Sequence, residues 1–413
     1  METTTRLTVQ QEQMIRTRKG AEIATKQRIT KRGPVWVVPS QTHGGSYVVE
    51  NDGLNFSCTC PDHELRKQPC KHVLAVEIVR THSMPDGTVV QETLRVTYSQ
   101  DWSSYNLAKT HDKERTELLL RDLCKLIVEP AQHMGRKRVA LREAIPMAAM
   151  KVYSCKSGRD NDTDTRRLAA NGVVEKPSYW TTVLRTIADP SLTPLFKALV
   201  EESASPLVAI ESDFATDSSG FGCATYHRWM DKKHKKERKE HSWVKAHLTC
   251  GVRTHVITAA VVKAQHSADS PEMAGLLDTT AKRFTAREHS ADMAYSGHAN
   301  LAKILSLGAQ PLIPFKDGTG EGVGSPLFWR KAHHYFHYNR EEFLRKYHKR
   351  SNVETVFHMI KSRFGERVLA KSFAGQVNEV YLKALLHNTS VLVSCIYELG
   401  LEPVFAGEIA VGG

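Results

Sequence analysis

Apolar residues between positions 347 and 364 recur with a helical period. Val353, Val356, Phe357, Ile360 and Phe364 stand at i, i+3, i+4, i+7 and i+11, the stripe of a helix docked on a core. Tyr347, Arg350, Glu354 and Lys361 follow one another at steps of three, four and seven, so on a single helix they line up beside that stripe. Upstream the period changes. Val35–Val38 and Tyr47–Val49 alternate like short strands across Gly44-Gly45. Residues 114–128 form a Leu-rich helical face and 136–152 a basic, then apolar, helix. The segments 164–170, 179–187 and 192–200 predict three short helices, broken at Asn171-Gly172 and Asp189-Pro190. They suit either a helix-turn-helix reader of DNA or an all-helical packing domain.

From residue 206 strands alternate with helices. Residues 214–221, 241–250 and 253–262 predict strands, and 271–284 a helix capped by Ser270 with Pro271 in its first turn. A buried strand at 288–292, a helix at 300–307 stopped by Gly308, and a strand at 311–315 complete a mixed α/β sheet. That order resembles the ribonuclease H-like fold. The expected division is a basic N-terminal arm (1–34), a small Cys/His module (35–82), a linker (83–112), a helical, DNA-binding region (113–205), the catalytic α/β domain (206–402) and a C-terminal tail (403–413). The arm, rich in Arg and Lys and poor in large apolar residues, is expected to be mobile or a marginal helix.

Charge adds a partner class. The 413 residues carry a net charge of +12, a balance that favours a polyanion through counterion release. No apolar run of about eighteen residues occurs, and residues 1–33 lack a signal peptide's apolar region. The expectation is a cytoplasmic, nucleoid-associated protein with no membrane partner and with reduced thiols, so its eight cysteines are not a disulfide framework.

Four of the soft ligands fall in two pairs. Cys58-x-Cys60 is followed after nine residues by Cys70-x-His72, a donor set suited to one structural, tetrahedral Zn²⁺, with His63 or His82 as alternative ligands. With Pro-Asp after Cys60 and an apolar helix after His72, residues 35–82 resemble the SWIM zinc finger, a module that implies binding to DNA or to protein.

Hard ligands come from three separate places. An aspartate inside a central strand (Asp217, with Asp213 as the alternative), a second at the end of a neighbouring strand (Asp292) and a glutamate on a packed helix (Glu354) suit two divalent ions, Mg²⁺ or Mn²⁺. The blocks Asp217-Ser-Ser-Gly-Phe221 and Asp292-Met-Ala-Tyr295, with the Tyr347, Arg350, Glu354, Lys361 tetrad, resemble DDE transposases of prokaryotic insertion sequences over residues 160–400. The resemblance implies Mg²⁺ at Asp217, Asp292 and Glu354, with Arg350 and Lys361 at DNA phosphates; Tyr347, on the same helix, is expected to orient it or to contact the DNA backbone. It implies cutting of element ends and joining of their 3′-OH groups to target DNA. Double-stranded DNA is the expected partner, and two ends served by two sites make a homodimer. Lys232, Lys233, Lys235 and Lys236, between the first two catalytic strands, are expected to grip phosphates. The competing readings are a nuclease without strand transfer and a DNA-binding protein that no longer cuts.

Overall fold

The computed structural model describes residues 9–26, 29–32, 35–40, 46–51, 56–81, 97–98, 101–132, 134–135, 137–223, 243–316, 318–320 and 324–410. They form two compact units, Met1–Trp102 and Ser103–Gly413. Among the described residues no helix is long and apolar enough to cross a membrane.

The first unit opens with helix α1 (Val9–Lys26), followed by strands β1 (Thr30–Arg32), β2 (Val35–Pro39), β3 (Ser46–Asn51) and β4 (Phe56–Cys58). Helices α2 (Pro61–Arg66) and α3 (Lys71–Thr81) and strand β5 (Thr97–Tyr98) complete it. The sheet runs β4-β3-β2-β1-β5, antiparallel except for β1 with β5. Trp36 and Val38 are buried while Val35, Val37 and Pro39 are half-buried, as the period of two requires. The arm expected to be mobile or marginal is instead a helix packed on α3, with Ile23 and Ala24 fully buried beside Val73 and Val76. Its Gly20 explains the close approach: a Cβ there would meet Leu74 Cβ at 2.9 Å and the Lys71 carbonyl at 3.0 Å. Small residues, Gly20 and Ala24, set the closeness of this seam, which an argument from bulky apolar content overlooks.

The second unit begins with helices α4 (Trp102–Thr110) and α5 (Asp112–Cys124), so helix occupies the end of the stretch expected to be linker. Strand β6 (Ile127–Val128) and helices α6 (Leu141–Tyr153), α7 (Asp162–Ala170), α8 (Trp180–Ala188) and α9 (Thr193–Ser203) follow. The sheet is built from β7 (Asp213–Cys223), β8 (Trp243–Gly251) and β9 (Ile257–Ala264), then, after α10 (Met273–Ala281), β10 (Glu288–Ala291), and, after α11 (His298–Ser306), β11 (Gln310–Leu312). Helices α12 (Leu327–Tyr338), α13 (Arg340–Tyr347) and α14 (Ser351–Phe364), strand β12 (Arg367–Val368), helix α15 (Phe373–Leu399) and strand β13 (Ile409–Ala410) end the chain.

Strand order is β11-β10-β7-β8-β9. The meander β7-β8-β9 is antiparallel, and β10 and β11 run parallel to β7. This is the ribonuclease H-like arrangement expected from the order of elements. The core does not stop where the pattern changes near residue 205: Leu120, Ile145, Met150, Phe196 and Leu199 share one cluster with Ala215, Phe221, Val244 and Ile360. At its centre lies α15, buried on nearly every side from Val377 to Val393. Its polar residues are satisfied individually. Asn378 reaches the carbonyls of Ile187 and Asp189, and Asn388 ties Ile257, at the start of β9, to Ser203 at the end of α9.

Strand β13 pairs in parallel with β6, so residues 409–410 of the expected tail are part of this unit. Trp329 is buried and meets His298 and Phe315 edge-on, a packing tryptophan. Ser270 does not cap the following helix. It lies in a 3₁₀ turn, Ser270–Glu272, ahead of α10, and its hydroxyl accepts from Asn300.

Candidate functional site

Strand β7 presents Asp217, Ser219 and Phe221 on one face, because alternate residues share a side. Helix α14 lies across that face, and its buried residues are the predicted stripe of Val353, Val356, Phe357, Ile360 and Phe364. Parallel pairing of Ala291 with Thr216 leaves Asp292, one residue beyond β10, level with Asp217. Neighbouring strands stand ~4.8 Å apart, so the two aspartates meet at one sheet end. Asp292 accepts from its own neighbour's amide, Met293 N, at 2.7 Å, which fixes the carboxylate at the start of a 3₁₀ turn.

The tetrad is not on one uninterrupted helix. Tyr347 ends α13, His348–Arg350 form a 3₁₀ turn, and α14 starts at Ser351. The backbone stays in the right-handed helical region throughout, so the path continues while the hydrogen bonding tightens. A 3₁₀ step advances about 120° per residue against 100°, and it sits where Lys349 and Arg350 turn in toward carboxylates. Lys349 donates to Asp213 and Glu288, at 2.9 Å each.

Arg350 is the hub. Its guanidinium donates to Asp217 Oδ2 at 2.7 Å and, through the other terminal nitrogen, to Glu354 Oε1. It also lies 5.9 Å from the centre of the Tyr347 ring, which itself stacks on Phe343 at 5.7 Å. Lys361 Nζ donates to Ser219 Oγ at 2.8 Å. Burial pushes the Asp217 carboxyl above its ordinary range; the Ser218 amide and Arg350 oppose this, and the charges of Asp292 and Glu354 add to it. Three acids from distant parts of the chain therefore act on one another. All are hard oxygen donors of the kind Mg²⁺ and Mn²⁺ take.

Asp213, the alternative first acid, is engaged elsewhere. Arg287 holds it at 2.7 and 3.0 Å and Lys349 at 2.9 Å. Burial raises its carboxyl, but these cations outweigh that and hold it below the ordinary value. It fastens the strand ends together.

Residues given no role by the sequence reading support Asp217. Ser218 gives its amide to Asp217 at 2.7 Å and its hydroxyl to Asp269 at 2.9 Å. Asp269 in turn pairs with Lys245 at 2.6 Å, 3.4 Å from His247 Nδ1. The Tyr295 hydroxyl is buried beside this network without a hydrogen-bond acceptor among the described residues. Burial and the charges of Asp269, Asp217 and Asp292 keep it protonated. Tyr295 stood in the sequence block, but Asp269 sits in a turn-rich run whose pattern singles out nothing. Lys232, Lys233, Lys235 and Lys236 lie outside the described residues.

In the first unit, β4 and the start of α3 bring Cys58, Cys60, Cys70 and His72 together, all buried, with their ligand atoms within 4.8 Å of one another. His72 turns Nδ1 toward the sulfurs of Cys58 and Cys70, 3.9 Å from each. Hydrogen bonding with Cys70 and burial push the Cys58 thiol up, while the same hydrogen bond pulls Cys70 down to about 3. The cluster thus already favours a thiolate, the form that ligates Zn²⁺. His63 is turned away, with Nδ1 on the Gln68 carbonyl, and His82 lies outside the described residues. Of the remaining cysteines, 124, 223, 250 and 395 are buried and Cys155 is exposed.

Residues 209–389 match the family model of the transposase DDE domain, and residues 48–80 match that of the SWIM zinc finger.

Proposed function

We propose that this chain, which carries a transposase DDE domain behind a SWIM zinc finger, is a DNA transposase of an insertion sequence, with Asp217, Asp292 and Glu354 as its catalytic acids. One observation carries the reading. Arg350 ties Asp217 to Glu354 across 137 positions of sequence beside Asp292, in a place where Asp217 feels the charge of both. Asp217, Asp292 and Glu354 would hold Mg²⁺ or Mn²⁺, which when bound supplies activation of an attacking oxygen and charge for the leaving oxygen.

The chain's own residues do the rest. Ser218 and Met293 amides fix one oxygen each of Asp217 and Asp292, so neither carboxylate must reorganise to bind. Arg350 neutralises the acids and offers a guanidinium to an incoming phosphate, for which its planar donors are suited. Lys361, on the same helix face and held by Ser219, provides a second cation along the strand. The proposed partner is double-stranded DNA, both element ends and target, bound by a homodimer. Cys58, Cys60, Cys70 and His72 would hold one structural Zn²⁺.

The test is cleavage and joining of element-end DNA with Mg²⁺. Asp217→Asn, Asp292→Asn and Glu354→Gln should each abolish both steps, and full activity in any of them removes that residue from the site. Cleavage without joining of the 3′ end to a second duplex would replace the transposase reading by a nuclease.

A further inference from the structure

Away from the acids, a cavity of about 300 Å³ opens between the end of α6, the turn after α14 and the start of α15. It is lined by Lys151, Cys155, Glu366, Arg367 and Glu379 among others. Most of these charges are spoken for. Glu379 accepts from the amides of Leu369 and Ala370 at 2.8–3.0 Å. Lys383, behind it, donates to the carbonyls of Gly365 and Arg367 at 2.7 Å each. Glu366 and Arg367 are adjacent and both exposed at the rim.

Lys151 is the exception. It is only 3% exposed, it lines the cavity, and it has no hydrogen-bond or ion-pair partner among the described residues. Burial pushes the nearby Lys383 amine down to about 8; Glu379 opposes this and the charge of Lys151 adds to it. The cavity wall therefore presents one ammonium that none of the described residues engages, with the exposed guanidinium of Arg367 at the rim.

We propose that this cavity is a binding site for a phosphate-type oxyanion, held by Lys151 with Arg367 at the rim. The oxyanion is a phosphate of bound DNA or a free phosphate. Strand β12, which forms the rim, pairs Arg367 with Gly222 of β7. Five residues of strand separate Gly222 from Asp217, ~17 Å by strand rise, so a DNA strand leaving the acids reaches the cavity within a few nucleotides. The exposed thiol of Cys155, one helical turn beyond Lys151, reports on occupancy.

The experiment measures the alkylation rate of Cys155 by iodoacetamide, read by mass spectrometry of its peptide, in the full chain without added divalent metal. Three conditions are compared at equal ionic strength: chloride, inorganic phosphate, and a short DNA duplex. Occupancy slows labelling several-fold relative to chloride, and Lys151→Met, which keeps the side-chain length without the charge, loses that protection. Protection by phosphate assigns a free anion, and protection by the duplex alone assigns a backbone phosphate. Equal rates in all three conditions overturn the proposal, as does undiminished protection in Lys151→Met. Should that variant fail to fold, Arg367→Gln, at an exposed position, takes its place and must weaken the protection.

Discussion

Asn388 offers the most direct test of how the second unit is held together. It is fully buried. Its Oδ1 accepts from Ile257 N at 2.8 Å, and its Nδ2 reaches the Ile257 carbonyl at 2.8 Å, Ser203 Oγ at 2.9 Å and the Val200 carbonyl at 3.2 Å. Replacement by Leu keeps the volume but strands the buried Ile257 amide at the first residue of β9. An orphaned buried donor costs ~1–3 kcal/mol. The Val200 carbonyl keeps Ser203 as donor, so the abandoned acceptors add less, and the total is about 2–4 kcal/mol. At about 2 °C per kcal/mol for a unit of this size, Asn388→Leu should lower the melting temperature by roughly 4–8 °C. Asn388→Asp is isosteric and keeps the acceptor for Ile257, yet it buries a charge and gives up both donors, so it should fall further than Leu. Thermal unfolding followed by circular dichroism at neutral pH separates the accounts. A loss under about 1 °C for Leu, or an Asp variant as stable as the parent, would refute the hydrogen-bond argument in favour of shape alone.

Other outcomes follow from the same geometry. Removing Zn²⁺ with a chelator, or Cys70→Ser, should unfold the first unit, because structural zinc supplies roughly 10–16 kcal/mol of binding free energy; unchanged helix content on chelation counts against a structural metal. Arg350→Gln takes away the cation between Asp217 and Glu354. Mn²⁺ binding by calorimetry should tighten several-fold, the worth of a half-exposed ion pair at about 1 kcal/mol, while DNA cleavage falls; weaker metal binding would mean that the guanidinium assists rather than competes. Asp213 has its carboxyl held below the ordinary value of 3.8. Its contribution to stability is present above that value and is lost as pH falls below it through the lowered folded value. Asp213→Asn should therefore lower stability at neutral pH and flatten the acid limb of melting temperature against pH, and an unchanged limb would contradict it.

What could be read from the sequence was whatever the local period encodes. The α14 stripe and the alternation of β2 are one-sided patterns, and their burial follows. The three candidate acids each stand in a block of distinctive neighbours, which is why the sequence singles them out. Two kinds of feature were hidden. Helix α15 is buried all round, so no stripe marks it, and polar residues such as Lys383 and Asn388 interrupt any apolar run. The α1 seam depends on Gly20 and Ala24, where close approach replaces bulk. The support of Asp217 by Ser218, Asp269 and Lys245 arises only when β7, β8 and the turn before α10 meet in space, and no sequence interval records that.

The position of α15 has a consequence for how the protein is made. Its partners in α5, α6, α9 and β9 leave the ribosome well before it does, and none can close its core until residues near 390 arrive. Folding of this unit is then a late, all-at-once event in synthesis rather than a progression from one end. A message broken anywhere upstream of α15 yields a chain with exposed apolar faces, destined for proteolysis instead of a partly working fragment.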